Sequence, residues 1–377
     1  MVRFHVNSRI VFLGAILFIF AIVVLAREHR PSFLRPGLRM NAYITTADGG
    51  VTVVDLVKLA VAAHVFVGPG LSGMREDPKR DEIWGASGPG GYVWVLDTHT
   101  NQVAARIYVG AMPLAVDFSR DGERIYTTSS GNDTLLAIDC QTRRILTRAK
   151  TGGRPVIAHV TPNGKMVLVV NQRDGTLGIH DAATLALQSA VPTVSKPEDV
   201  AIVPDSSLAF VLSRTERRIS VVDLLHSALL TNLDLAGEPT QMLLKPDGGE
   251  LYVLSPESHG LQVINTWTHE VGDYVLVGSA PTRGALLPDA SGMFVSDAAA
   301  GRVAPVDIVD RRVMRPIPAG QSPGALAFSP GEKPSLLLVA NQGSGDISVI
   351  RIRSDGQSLL TMIPVGEHPQ DLAAKMF

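Results

Sequence analysis

One spacing dominates the chain. Trp84, Tyr126, Leu168, Phe210, Tyr252 and Phe294 follow one another at steps of 42 residues, with Tyr43 preceding by 41 and Leu338 following by 44. Asp55, Asp97, Asp139, Asp181, Asp223, Asn265 and Asp307 keep the same beat. So do Pro113, Pro155, Pro197, Pro239, Pro281 and Pro323, and Pro369 then follows after 46. Three markers in register define an internal repeat. A unit of this length cannot bury its apolar faces alone and must stack on its neighbours.

Each unit divides into four strand-like pieces. In the copy that begins at Pro113 these are "PLAVDF", "RIYTTSS", "TLLAID" and "RILTRAKTG". Asp121-Gly122 marks the first turn and Gly131-Asn132-Asp133 the second, both residue types that accept turn geometry. Four short antiparallel strands in about 40–45 residues predict a propeller blade. Counting second strands from Tyr43 to Leu338 predicts an all-β, eight-bladed propeller over residues 40–377. The first unit opens directly at its second strand, and the chain ends on "PQDLAAKMF", which reads as an innermost strand alone. Closure is therefore expected by pairing of 369–377 with 41–46, which removes the free sheet edges. The irregular unit is 70–108, where "GLSGMREDPKRDE" lacks the link proline. Were it to loop out, seven blades would remain.

The cores "YITTADGGVTVVD" (43–55), "LVVNQRDGTLGIHD" (168–181), "YVLSPESHGLQVIN" (252–265) and "LVANQGSGDISVI" (338–350) carry a family likeness. So does the Gly-x-x-Pro link at Gly110/Pro113, Gly152/Pro155, Gly278/Pro281, Gly320/Pro323 and Gly366/Pro369. On these residues the chain resembles the YVTN-repeat β-propellers from Met40 to its end. Most members are thought to have seven blades, so eight departs from the common pattern. Eight blades also resemble the haem-binding propeller of bacterial cytochrome nitrite reductases. Quinone-cofactor dehydrogenase subunits and lactonases share YVTN-like folds, but no motif specific to any of these groups is present.

Composition adds a second segment. Residues 10–26, "IVFLGAILFIFAIVVLA", form an uncharged run of 17 after a nine-residue tail (1–9), and a Pro- and Arg-rich linker (27–39) follows. As a helix the run would span about 25 Å, slightly short of a ~30 Å hydrocarbon core, with Arg9 and Arg27 placed to snorkel. It is expected to be a transmembrane anchor, with a signal peptide cleaved after Val24-Leu25-Ala26 as the alternative. Two arginines before the run and four after it would by themselves hold the propeller in the cytoplasm. The short tail with Arg3 and Arg9 instead resembles an export signal, so an extracytoplasmic (periplasmic or cell-surface) propeller is expected.

The chain holds 34 basic and 36 acidic side chains, a net charge of −2. Residues 1–39 take six arginines and one glutamate, leaving 28 basic and 35 acidic residues, or −7, for the remainder. That balance excludes a basic nucleic-acid footprint. One cysteine, Cys140, excludes an intramolecular disulfide framework and every multi-cysteine metal motif.

Most candidate motifs dissolve on inspection. The 42-spaced aspartates end the third strands, where they would bond turn amides rather than gather as a carboxylate cluster. The polar slot Thr46, Ser87, Ser129, Asn171, Ser213, Ser255, Asp297 and Asn341 is likewise a repeated turn position. "GQSPG" (320–324) matches the nucleophile elbow, but the residue after its serine is Pro323, which has no oxyanion N–H. "HEVGD" (269–273) lacks a second histidine, and no phosphate loop occurs. Asn132-Asp133-Thr134 fits a glycosylation sequon, and Cys140 is expected to be an inert thiol.

What remains is the channel mouth, where each inner strand begins just after its link proline. Polarity there is lopsided: Glu198, Asp199, Gln241, Arg283, Gln370 and Asp371 stand against apolar pairs in the other blades. Arg173, Asp174, Arg214 and Glu216 lie on neighbouring loops. The expected function is a non-catalytic binding or scaffold module that takes a protein partner or small ligand at this face, with no cofactor. The alternative is a haem-type cofactor or oxidoreductase-associated propeller. The nitrite-reductase resemblance then implies His159 as the ligand, with Asp117 at the same repeat position one blade earlier.

Overall fold

The computed structural model describes residues 39–377, which form eight antiparallel sheets arranged as a closed ring. In ring order the blades comprise 40–66 with 371–376, then 71–108, 116–150, 155–192, 199–234, 241–276, 281–318 and 323–364. Each has four strands, except that the outer strand of the seventh is split into Arg312–Val313 and Ile317–Pro318 around Pro316. The tail, the apolar run 10–26 with its expected helix, and the linker up to residue 38 lie outside the described residues. Among the described residues no helix is long and apolar enough to cross a membrane.

Local sequence explains which strand goes where. Second and third strands are apolar on both faces, as in Met166–Asn171 (MVLVVN), because a neighbouring blade covers each side. Outer strands alternate instead, as in Ile145–Lys150 (ILTRAK), with one face toward water. The aromatic marker of the repeat fills the space between blades: Trp84, Phe210 and Tyr252 are fully buried. The aspartate marker closes turns as expected. Asp181 accepts the N–H groups of Ala183 and Thr184, and Asp55, Asp97, Asp223, Asn265 and Asp307 each cap two amides of their own loops.

The ring has two faces. Blade links and the loops between second and third strands share the upper face. Loops between third and outer strands, together with those between first and second, share the lower face. Closure occurs where expected, with strand Asp371–Met376 antiparallel to Met40–Thr45 in the register Tyr43↔Ala373.

Blade 71–108 does not loop out, so the count is eight. Its inner strand, Leu71–Glu76, carries a bulge between Ser72 and Arg75. Gly73 sits there at φ +56°, and a Cβ would stand 2.5 Å from the Cα of Ala115 in the next blade, so only glycine fits. The closing strand also holds this blade in place. The Met74 N–H donates to the Asp371 carboxylate at 3.0 Å, and the buried Lys375 ammonium donates to the carbonyls of Asp77 and Arg80.

Candidate functional site in the channel mouth

The mouth is built from first residues of inner strands. Strands Asp199–Ile202, Gln241–Leu244, Pro281–Leu286 and Asp371–Met376 each begin at the upper face. Side chains then cross from blade to blade. Gln241 accepts the Gly284 N–H at 2.7 Å, and the Arg283 guanidinium donates to the Thr240 carbonyl at 3.0 Å. The Asp199 carboxylate accepts the Val200 N–H at 2.8 Å. Asp371 takes Met74 and, at 2.9 Å, Leu372.

Two cavities open here, of about 450 and about 530 Å³. Arg75, Gln241 and Arg283 line both. The first adds Gln370 and Asp371, and the second adds Glu198, Asp199, His159 and Arg214. All six residues expected at the mouth are therefore brought together. Of the loop residues only Arg214 joins them, donating to the Pro239 carbonyl and pairing with Glu238. Arg173 instead pairs with Asp133 of the previous blade at 2.8 Å, Asp174 accepts the Gly153 N–H, and Glu216 closes its own turn on Ser213.

Arg75 is the residue that sequence reasoning missed. It lies in the unit without a link proline, and the bulge at Gly73 is what turns this part of the strand toward the cavity. The only sequence signal was the glycine-interrupted "GLSGMRE".

Burial pushes the carboxyls of Asp199 and Asp371 up, against the pull of His159 and the two arginines on Asp199 and of the same arginines on Asp371. Among the described residues neither Arg75 nor Arg283 has a carboxylate within 4.0 Å, a property shared with Arg106 and Arg124, which bond backbone carbonyls, whereas Arg80, Arg143, Arg173, Arg217, Arg218, Arg302 and Arg311 each have one. The Arg75 side chain makes one hydrogen bond, to the Met74 carbonyl at 3.2 Å.

His159 lies deeper, on Pro155–Val160, and its Nδ1 faces the Asp117 carboxylate of the preceding blade at 3.2 Å. Asp117 also accepts the Val160 N–H. With Nδ1 committed, Nε2 has no protein partner among the described residues. Elsewhere, Cys140 is buried and its thiol is pushed up to about 12 by burial. The Gly-x-Ser-x-Gly stretch runs straight into strand Pro323–Phe328, with no helix to form an elbow.

A family model described as a YNCE-like beta-propeller matches residues 91–291, just over half of the chain. The chain belongs to the YNCE-like β-propeller family. No curated protein matches it at significance. Solved structures similar to this YNCE-like propeller include dihydro-heme d1 dehydrogenase NirN in complex with DHE, at a TM-score of 0.76 and 15% identity over 91% of this chain and 76% of that one. Hydrazine synthase of Kuenenia stuttgartiensis follows at 0.60 and 17% identity, covering 75% of this chain and 96% of that one. A functionally unknown protein of Desulfotomaculum acetoxidans gives 0.58 and 14%, covering 73% and 94%. At such identities these likenesses establish the fold alone.

Proposed function

We propose that the protein is a membrane-anchored, extracytoplasmic binding propeller that is not itself a catalyst and takes a small anionic ligand at its channel mouth. The observation that carries this reading is the pair Arg75 and Arg283, two guanidinium groups that line the same two cavities and, among the described residues, have no carboxylate within 4.0 Å. Arginine is the side chain best suited to grip a carboxylate or phosphate in two-point fashion. Burial pushes the Asp199 and Asp371 carboxyls up, which weakens their opposition to an anion relative to freely solvated carboxylates. Anchoring rests on the uncharged run 10–26.

Citrate serves as a probe. It is expected to raise the melting temperature of the full chain in a concentration-dependent way, as any ligand of the folded state does. Arg75→Ala and Arg283→Ala should each remove most of that rise. An equal response in wild type and both variants overturns the site.

A second reading has its own observation. His159, oriented through Nδ1 by Asp117, offers Nε2 to the cavity in the manner of a metal-ligating histidine braced by a carboxylate. Together with the two arginines this donor set fits a haem-type group bearing carboxylates, which would supply redox chemistry. NirN, whose structure holds DHE, lends that reading its fold-level support. In the same melts, haem in place of citrate, with a Soret band lost in His159→Ala, would favour it over the simple anion.

A further inference from the structure

The lower face carries an apolar arc that the channel does not use. Two residues past the third-strand Asp or Asn, the seven units read Val57, His99, Gln141, Ala183, Leu225, Trp267 and Val309. The last three, on consecutive blades, are 73%, 76% and 78% exposed. Leu229 and Leu230 at the start of the fifth blade's outer strand, and Val271 at the start of the sixth's, extend the arc around the rim. Solitary exposed hydrophobics need no explanation, but large apolar side chains at one repeat position on three consecutive blades do.

We propose that this arc seats the propeller on a lipid bilayer. The path of the chain names the occupant. Leu56 donates its N–H to the Met40 carbonyl, so the described chain begins at the lower face, the same face as the arc. Beyond it lie the linker and the uncharged run 10–26. The tether leaves from the first blade, and the fifth blade stands diametrically opposite in an eight-membered ring, with the sixth and seventh beside it. Attachment at one edge and apolar contact at the other lay the lower face flat on the membrane and turn the channel mouth away from it. Tryptophan with aliphatic neighbours is the composition that prefers the interfacial layer. Asp205, Asp247 and Asp289 flank the arc on the same face, so the contact is apolar seating in a zwitterionic headgroup layer rather than attraction to anionic lipid.

This inference rests on the anchoring part of the proposed function, and the experiment separates the two. The full chain is reconstituted with phosphatidylcholine vesicles with or without lipid brominated in the upper acyl chain. Of the three tryptophans, Trp84 and Trp94 are fully buried, and residues 1–38 contain none, so lipid quenching reports Trp267. Co-flotation with quenching that disappears in Trp267→Phe is the expected result. Leu225→Ser/Val309→Ser should reduce quenching while leaving flotation intact, since both side chains are exposed and the fold does not depend on them. Co-flotation without quenching overturns the seating and leaves the arc to a protein partner. Failure to float overturns the anchor, and the seating falls with it.

Discussion

The Asp199 and Asp371 carboxyls show how the mouth differs from the surface at the scale of one residue. The turn aspartates Asp139 and Asp181 sit below the usual carboxylate range because the amides and hydroxyls of Thr142 and Thr184 bond the ionised form. Asp199 and Asp371 are displaced the other way by burial. A carboxyl whose folded-state pKa is raised contributes its full stability below the unfolded value, near 3.9, and loses it as pH rises through the folded one. Asp199→Asn keeps an acceptor for the Val200 amide while removing a half-buried charge, whereas Asp371→Asn would keep an acceptor for only one of the Met74 and Leu372 amides. Asp199→Asn is therefore expected to melt higher than wild type at pH 7, with the gain vanishing near pH 3.5. Melting curves at the two values check this, and a variant no more stable at pH 7 would refute it. Arg75 was illegible at this scale because its role depends on a backbone bulge rather than on its residue type or period.

At the scale of the element, the closing strand does more than complete a sheet. Asp371–Met376 pairs with Met40–Thr45 over six positions, and Leu372 and Ala374 enter the core between the first and eighth blades. Lys375 then reaches sideways to two carbonyls of loop 77–80. Removal of 369–377 is expected to abolish cooperative unfolding, since it bares the edge of strand Met40–Thr45 and empties the core between the first and eighth blades of Leu372 and Ala374. The milder Lys375→Met strands the buried Asp77 carbonyl, while that of Arg80 keeps the Glu82 N–H, and should cost about 1–3 kcal/mol in a urea melt. A truncated chain with an unchanged midpoint would argue against the latch. The strand was legible in advance because "PQDLAAKMF" has the length and link proline of an inner strand with no other strand after it. Its grip on the second blade was not, because that contact joins residues almost 300 positions apart.

For the whole molecule the two faces divide the work: the upper one gathers Arg75, Arg283, Asp199 and Asp371 around a cavity, and the lower one carries the chain's exit and the apolar arc. The export reading, drawn from the N-terminal sequence, predicts a topology of its own. In intact spheroplasts, added protease is expected to digest the propeller, whereas in intact cells with an outer envelope it should be protected until that layer is breached. Protection in spheroplasts until they are lysed would place the propeller in the cytoplasm and refute the export reading.

Sequence alone determined the four-stranded repeat, the inner-to-outer order of strands and the place of closure. Each of these follows from a local alternation of apolar and polar residues repeated at a fixed interval, and such a pattern is readable without knowing any neighbour. It also placed six mouth residues, because a repeat position in a ring maps onto a known radius and height. Only the tertiary structure decided that blade 71–108 stays in the ring, that Gly73 bends its inner strand to deliver Arg75, and that Asp117 braces His159 across a blade boundary. These outcomes depend on distances between chain segments far apart in sequence, set by close packing and hydrogen bonding at one point in space, and no periodicity encodes them.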